Sequence, residues 1–350
     1  GQLRPVEHGQ PLTRVEHKRN ASSVKLIGMP EHRFPSIGRN NAQSDVRSGL
    51  DLGGMRVHHY MAQRGFVALR IDVRGTGSSG GTASDEYSVQ EQLDAVEAIA
   101  WMAQQPWCTG KVGMFGTSYG GFNSLQVAMH RPPALKAICP MYFTDNRYTD
   151  DCHYKGGAMQ MLYDMATYGL SMVVQNALPP YPEAVGERWA EIWEEHLQAE
   201  PWLLPWETNH VYNNYWKQGS LCENYAAIQA ATFLIGGWRD GYTNCNLRTF
   251  EHLQCPKKVL IGPWLHVWPD VGVPGPRIDH LHEMCRFFAY WLNGIDNGIM
   301  NEPPITIWNA TSMPTVRLVV VMTVQAPMVS TRSVIICSSA FAHVLYVFPS

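Results

Sequence analysis

One serine lies in a pattern that constrains both the local fold and the chemistry of this chain. Residues 116–120 are Gly-Thr-Ser-Tyr-Gly and follow directly after the apolar run at residues 111–115. The pattern G-x-S-x-G is typical of a sharp turn from a strand into a helix, which projects the serine hydroxyl from the top of a sheet. The small residues at both ends let the strand and the helix pack closely. Because so short a pattern also arises by chance, its meaning depends on the elements around it.

The segments around Ser118 alternate between strand and helix patterns. Between the first two apolar runs, Ser88 and Glu91 form a Ser-x-x-Glu capping box that opens a predicted helix with an apolar stripe. Alternation of this kind favours βαβ units and a mostly parallel sheet, so we predict the α/β class. The predicted buried strands are at residues 66–73, 111–115, 135–143, 231–236 and 258–261.

The alternation breaks once along the chain. Residues 146–230 are rich in Tyr, Trp, Met and Pro and indicate several helices without strands. We therefore predict a helical cap at 146–230, inserted into a core made of residues 54–145 and 231–300. Residues 1–53 form an atypical N-terminal segment, and residues 301–350 form a C-terminal segment that we expect to lie outside this core.

An acid and a histidine follow two of the later predicted strands. A serine hydroxyl becomes a nucleophile only with a base in hydrogen-bond reach, and the base needs an orienting carboxylate. In α/β-hydrolases these groups come in the chain order Ser, Asp or Glu, His. Asp240 lies in a glycine-flanked loop after the strand at 231–236, and His266 comes shortly after the strand at 258–261. The alternatives are a solvated turn aspartate and a surface histidine, but the order favours a triad of Ser118, Asp240 and His266.

Two further parts of an active site are predicted near this triad. The backbone N–H of Tyr119, the residue after the nucleophile, is expected to donate to the oxyanion of the intermediate. Four aromatic residues are candidates for an apolar substrate pocket, with core packing as the alternative. They are Trp238, Trp264, Tyr142 and Phe143.

A second glycine pattern suggests a different class of protein. Residues 75–80 match G-x-G-x-x-G after a strand, as in dinucleotide-binding folds. The following helix begins only near residue 88, too late for its N-terminus to hold a pyrophosphate there. We therefore expect no cofactor and assign these glycines to a turn near the active site, where Arg74 and Asp72 are candidates for an ion pair.

Histidine and cysteine spacing does not favour a metal site. The closest histidine pairs, 58–59 and 280/282, lack a nearby carboxylate set of the usual form, and the eight cysteines include no C-x-x-C. We expect the cysteines to be buried, reduced thiols.

Net charge and hydropathy limit the classes of binding partner and the cellular location that we expect. The net charge is −3 with scattered Lys and Arg, which gives no case for binding nucleic acid or an anionic membrane. No apolar stretch reaches about 20 residues, and no signal peptide pattern is visible. We expect a cytoplasmic protein that acts on a small molecule; the sequence does not indicate its oligomeric state.

Several motifs together resemble the CocE/NonD family of hydrolases, which is similar to cocaine esterase, α-amino-acid ester hydrolases and Xaa-Pro dipeptidyl-peptidases of family S15. The resemblance implies an α/β-hydrolase fold with an inserted helical cap. It also implies Ser118, Asp240 and His266 as nucleophile, acid and base, and hydrolysis of an ester, amide or short peptide through an acyl-enzyme. The matching segments are residues 72–80, 106–113, 116–121, 131–137, 237–241 and 262–266.

The chain departs from this family at both ends. Family members are longer and carry a C-terminal jelly-roll domain, whereas residues 310–350 show no convincing family pattern and are too few for eight strands. The family also places a tyrosine in an early Pro-Tyr loop to complete the oxyanion hole, and this chain has no tyrosine before Tyr60. We expect both ends to be truncated or replaced. We therefore expect a weak or narrow hydrolase, and the alternative is a catalytically impaired binding or scaffold protein with the same fold.

Overall fold

A seven-stranded parallel sheet forms the centre of the molecule. The computed structural model describes residues 54–309 and 332–337 of the 350. The strands lie in the order β1-β9-β2-β3-β6-β7-β8, and each hydrogen-bonded pair is parallel. The prediction of a mostly parallel sheet is thus confirmed. The strands are β1 (Val67–Arg70), β2 (Cys108–Thr117), β3 (Leu135–Met141), β6 (Ala231–Gly237), β7 (Lys257–Gly262), β8 (Ile305–Ile307) and β9 (Arg332–Cys337).

Strand β9 comes from the C-terminal segment but lies inside the sheet. Val334 pairs with Val67 on β1 and with Val112 on β2, so β9 has a neighbour on each side. The core predicted from the sequence ended near residue 300 and did not include this strand. A run of six residues can predict a strand but not its partners. The partners of β9 follow from the folded sheet, where β1 and β2 leave room for one strand between them.

Helices cover the sheet. Helices α1 (Gly54–Ala62) and α11 (His280–Asn293) contact each other and pack on β1 to β3. Helices α2 (Val89–Ala103) and α3 (Tyr119–Met129) contact each other and pack on β2, and α10 (Thr243–His252) packs on β6 and β7. A short 3₁₀ turn at Ile299–Asn301 leads to β8. In the described part of the chain, no helix has the length and apolarity needed to cross a membrane.

The capping box predicted for α2 forms only in part. The Ser88 hydroxyl accepts a hydrogen bond from the Glu91 backbone N–H at 3.1 Å, as an N-cap does. The Glu91 side chain, however, turns away to the neighbouring helix α3.

The chain between β3 and β6 is mainly helical, but it also contains a pair of two-residue antiparallel strands, β4 (Tyr154–Lys155) and β5 (Ala158–Met159). The expectation of helices without strands is wrong at this point, because strands of two residues leave no alternating pattern to recognise. The other elements are α4 (Met161–Ala166), α5 (Tyr168–Asn176), α6 (Pro182–Val185), α7 (Trp189–Leu197), α8 (Leu203–Thr208), α9 (Asn214–Lys217) and 3₁₀ turns at Gly186–Arg188, Leu221–Glu223 and Tyr225–Ala227.

Candidate active site

Ser118 sits on a strained turn between β2 and α3. Its φ of +57° is unusual for a residue with a side chain, and its backbone N–H donates to the Met141 carbonyl at 2.9 Å. A Cβ atom on Gly116 would lie 2.4 Å from the Gly120 carbonyl carbon, and one on Gly121 would lie 2.5 Å from the Met141 oxygen. The glycines around the serine are therefore required by close backbone contacts, and the turn has the form of a nucleophile elbow.

Asp240 and His266 meet beyond the ends of adjacent strands. Asp240 follows β6, His266 follows β7, and His266 Nδ1 lies 2.7 Å from Asp240 Oδ1. The other carboxylate oxygen accepts the backbone N–H of Tyr242 at 3.2 Å. Because an ionised carboxylate can only accept, the neutral imidazole carries its proton on Nδ1 and keeps Nε2 free to act as a base. The Asp240 side chain is 1% exposed and that of His266 is 42% exposed, so the acid is shielded while the base can reach a substrate.

Ser118 and His266 each lie next to one of two consecutive residues, Met141 and Tyr142. No hydrogen bond joins the Ser118 hydroxyl to His266 among the described residues. However, the carbonyl that holds the Ser118 N–H belongs to Met141, and the ring of the next residue, Tyr142, lies 5.3 Å from the His266 ring. The Tyr242 ring lies 5.7 Å from the His266 ring. Catalytic hydrogen bonds are often loose without substrate, so this arrangement is compatible with a triad.

Three of the four predicted pocket residues lie in the interior. Tyr142, Phe143 and Trp264 are fully buried, and only Trp238 exposes much of its surface, at 41%. The Tyr142 hydroxyl donates to the Val267 carbonyl at 2.5 Å, and Trp264 Nε1 donates to the Pro276 carbonyl at 2.7 Å. These three side chains therefore pack in the core. Trp238 is the candidate whose exposed surface a substrate can contact.

Tyr119 begins helix α3 directly after the serine. The first N–H groups of a helix have no partner within it, so the Tyr119 N–H is of the kind that can donate to an oxyanion. The early loop from which a second donor was expected lies outside the described residues.

A buried ionic network joins Glu86 to the segment at residues 146–230, which we call the capping segment. Sequence reasoning missed this network. Glu86 Oε1 lies 3.1 Å from Arg147 Nη2 and 3.0 Å from His153 Nε2, and Glu86 Oε2 accepts the Tyr168 hydroxyl at 3.1 Å. His153 Nδ1 lies 2.7 Å from Asp164. The partners are separated by about sixty to eighty residues in the sequence, so no local spacing could indicate them.

The charges in this network stabilise each other. Burial alone would lower the pKa of His153, but its neighbours Cys152, Glu86 and Asp164 raise it well above its ordinary value. Burial alone would raise the pKa of Glu86, but His153 and Arg147 lower it. The favoured state is thus an ionised Glu86 between two cations.

The glycine pattern at residues 75–80 forms a closed loop. The Gly75 N–H donates to the Gly80 carbonyl at 3.2 Å. The predicted Arg74–Asp72 ion pair is wrong. Arg74 instead makes two 2.6 Å hydrogen bonds to Asp94 on α2, because the helix presents a carboxylate in the bidentate geometry that a guanidinium prefers.

Two clusters in the described residues have the composition of metal sites, but their chemistry does not favour a metal. In the cluster of Asp145, Asp150 and Cys245, the Arg248 guanidinium already binds both carboxylates. In the cluster of residues 151–153, both ring nitrogens of His153 already bind carboxylates. The seven cysteines within residues 54–309 are free, and they include buried and half-buried ones.

Comparison with known proteins reveals a family. The profile of the X-Pro dipeptidyl-peptidase (S15 family) matches residues 12–268. The match begins well before residues 72–80, the first of the matching motifs, so the resemblance extends further toward the N-terminus than the motifs indicate.

Individual relatives cover the same region. A Mycobacterium bovis protein named as a serine esterase is 27% identical over 326 residues, covering 73% of this chain and 50% of the relative. The cocaine esterase of a Rhodococcus species is 27% identical over 224 residues, covering 58% of this chain and 39% of the esterase. The chain thus spans half or less of the length of these curated relatives.

A solved structure shares the fold. The crystal structure of a CocE/NonD family hydrolase from Staphylococcus aureus superposes with a TM-score of 0.52 at 20% identity, covering 67% of this chain and 38% of that one. The fold is the α/β-hydrolase fold, and the CocE/NonD resemblance inferred from the motifs is confirmed.

Proposed function

The chain belongs to the X-Pro dipeptidyl-peptidase (S15) family, and from this premise we propose that it is a serine hydrolase that cleaves ester or amide bonds through an acyl-enzyme. The observation that carries the proposal is the 2.7 Å contact between His266 and the buried Asp240, beside a serine on a strained elbow. Such a pair orients the imidazole and stabilises the imidazolium that forms when the base takes a proton.

The proposed reaction has two halves. Ser118 Oγ attacks the substrate carbonyl carbon while His266 Nε2 takes the hydroxyl proton, and the Tyr119 N–H stabilises the resulting oxyanion. His266 then gives the proton to the leaving alcohol or amine, and the acyl group stays on Ser118. Water attacks the acyl-enzyme with His266 again as the base, releasing the acid and restoring the serine hydroxyl.

A fluorophosphonate probe tests this proposal, because it labels only activated serines. We expect labelling and hydrolysis of p-nitrophenyl butyrate by the wild type, and loss of both in Ser118→Ala. Ser171→Ala, which removes an exposed hydroxyl on α5, is the matched control and should behave as the wild type. Equal labelling of wild type and Ser118→Ala, or of neither, would support the scaffold alternative.

A second candidate is cleavage of peptides after an N-terminal Xaa-Pro unit, the activity in the family's name. Such a substrate needs an acidic anchor for its amine. Among the nearby aspartates, Asp145 and Asp150 bind Arg248, and Asp164 binds His153 through its Oδ1. Asp151 is buried and has one carboxylate oxygen, Oδ2, without a hydrogen-bond partner. A buried polar atom of this kind is costly unless something completes it.

The location of Asp151 favours this role. Its Oδ1 accepts the hydroxyl of Tyr242 at 3.4 Å, and the Tyr242 ring neighbours His266. In a peptidase, Asp151→Asn should lower kcat/KM for Gly-Pro-p-nitroanilide at least tenfold more than for p-nitrophenyl butyrate. An equal effect on both substrates would leave the ester as the better candidate.

A further inference from the structure

The carboxyl group of Glu91 lies buried beside the elbow and has no part in the proposed reaction. Its Oε2 accepts the hydroxyl of Tyr119 at 2.7 Å, and its Oε1 accepts the side-chain amide of Asn123. Both partners are on the first turns of α3, and Tyr119 is the residue directly after Ser118. One side chain of α2 therefore binds the start of the helix that follows the nucleophile.

Two aromatic rings confine the Tyr119 ring, but the position of its hydroxyl end depends on hydrogen bonds. The Tyr87 ring centroid lies 4.4 Å away, and the Trp202 ring stacks at 6.5 Å. The Tyr87 backbone N–H donates to the Tyr119 hydroxyl at a longer 3.3 Å. The shorter bond to Glu91 is thus the contact that holds the end of this side chain.

We propose that Glu91 is a positioning residue for the nucleophile elbow: it holds the Tyr119 side chain and thereby aims the Tyr119 backbone N–H at the oxyanion. The inference rests on the proposed hydrolase function. Oxyanion donors act only when they are aligned before the reaction, and a displacement of about 1 Å can cost about a hundredfold in rate.

The surroundings of Glu91 make its charge state part of this role. Burial raises its pKa to about 8, and the charge of Glu86 acts in the same direction, while hydrogen bonds from Tyr119, Asn123 and the Tyr87 backbone act against it. These are the groups that face it from the preceding loop and from α3. With its pKa raised to about 8, the carboxyl gains its charge in mildly alkaline solution, and a buried anion beside the elbow then opposes formation of the oxyanion.

Two substitutions of Glu91 distinguish a role of its hydrogen bonds in positioning from a role of its side-chain volume in packing. At pH 7, Glu91→Leu should lower kcat about 30-fold or more with little change in KM, because the donor is misaligned while the pocket is unchanged. Glu91→Gln keeps a neutral group of the same shape and should restore most of that loss.

The partner hydroxyl provides an independent test. Tyr119→Phe should lower kcat about tenfold, and the double variant Glu91→Leu/Tyr119→Phe should be no slower than the slower single variant, because both remove the same bond. If Tyr119→Phe keeps the full kcat, or the two losses multiply, the inference is overturned. Tyr119→Phe also serves if Glu91→Leu fails to fold in circular dichroism melts.

The pH profile is a readout that a merely structural role would not move. Wild-type kcat should fall above about pH 8, and this fall should be absent in Glu91→Gln. Glu97→Gln makes the same substitution on the same helix and should keep the wild-type fall. An unchanged fall in Glu91→Gln overturns the inference while leaving the hydrolase proposal intact, because that proposal fails only if activity does not depend on Ser118.

Discussion

Tyr142 illustrates how much a single residue contributes to the geometry of this site. Its φ is +51°, its N–H donates to the Ile235 carbonyl at 3.0 Å, and its ring lies 5.3 Å from that of His266. Its hydroxyl holds the carbonyl of Val267, the residue after the histidine. Burial and the charge of Asp240 raise its pKa, so the hydroxyl stays a neutral donor. The Tyr142 hydroxyl therefore holds the backbone of the loop that carries His266.

Tyr142→Phe should lower kcat about tenfold and leave KM nearly unchanged, because it frees the loop that carries the base while the ring stays in place. Steady-state hydrolysis of p-nitrophenyl butyrate measures this. Tyr154→Phe also removes a buried hydroxyl that donates to a backbone carbonyl, that of Trp206 at 3.3 Å, but in the capping segment. An equal loss in the two variants would contradict a specific role of Tyr142.

At the scale of elements, the network around Glu86 fastens the capping segment to the core. Three residues of that segment, Arg147, His153 and Tyr168, converge on one carboxylate of a core loop. Buried charges of this kind add little net stability as a set, but the loss of one partner is costly because it leaves the others uncompensated. The attachment of these helices is therefore specific and sensitive to protonation.

The sign of the pH dependence follows from the two shifts. A raised histidine pKa contributes stability that is complete below 6.5 and is lost as the pH rises through the raised value. A lowered glutamate pKa contributes stability that is complete above 4.5 and is lost as the pH falls through the lowered value. Together they stabilise the fold most between these two values.

His153→Gln should cost about 3–5 kcal/mol of unfolding free energy near pH 6 and progressively less in alkaline solution. Urea titrations at a series of pH values measure the difference from the wild type. His252→Gln, which changes an exposed histidine on α10, is the control. A cost that does not vary with pH would contradict the protonated state of His153.

For the whole molecule, the decisive feature is a strand that the chain supplies from far along the sequence. β9 pairs through its backbone with β1 on one side and β2 on the other. Proline in such a central position removes a ladder donor and is rarely tolerated. The sheet therefore depends on residues that carry no part of the active site.

Ile335→Pro should destabilise the fold by about 3 kcal/mol or more, whereas Ile335→Val keeps the backbone N–H and should cost much less. Chemical denaturation compares the two variants. Wild-type stability in Ile335→Pro would mean that β9 is not needed in the sheet.

What could be predicted from the sequence follows the range of the interactions involved. The contact between Asp240 and His266 is predictable because each follows an apolar strand, and parallel strands bring such positions to one edge. Glu91 was identified only as a cap, because its partner Tyr119 lies on another helix. Sequence proximity favours Asp72 as the partner of Arg74, whereas in the folded chain the Arg74 guanidinium binds Asp94 on α2. Local sequence patterns therefore predict helices and strands. The partners of individual side chains and of β9 depend on how those helices and strands pack in the folded protein.

The position of β9 also has a consequence for the birth of the protein on the ribosome. Val67 cannot meet Val334 until the ribosome has added every residue between them. Until then, β1 and β2 each present an open edge toward the missing strand, and open edges attract the strands of other chains. A nascent chain is thus exposed to aggregation while these residues are made, and closure of the sheet by β9 sets how long chaperones must protect it.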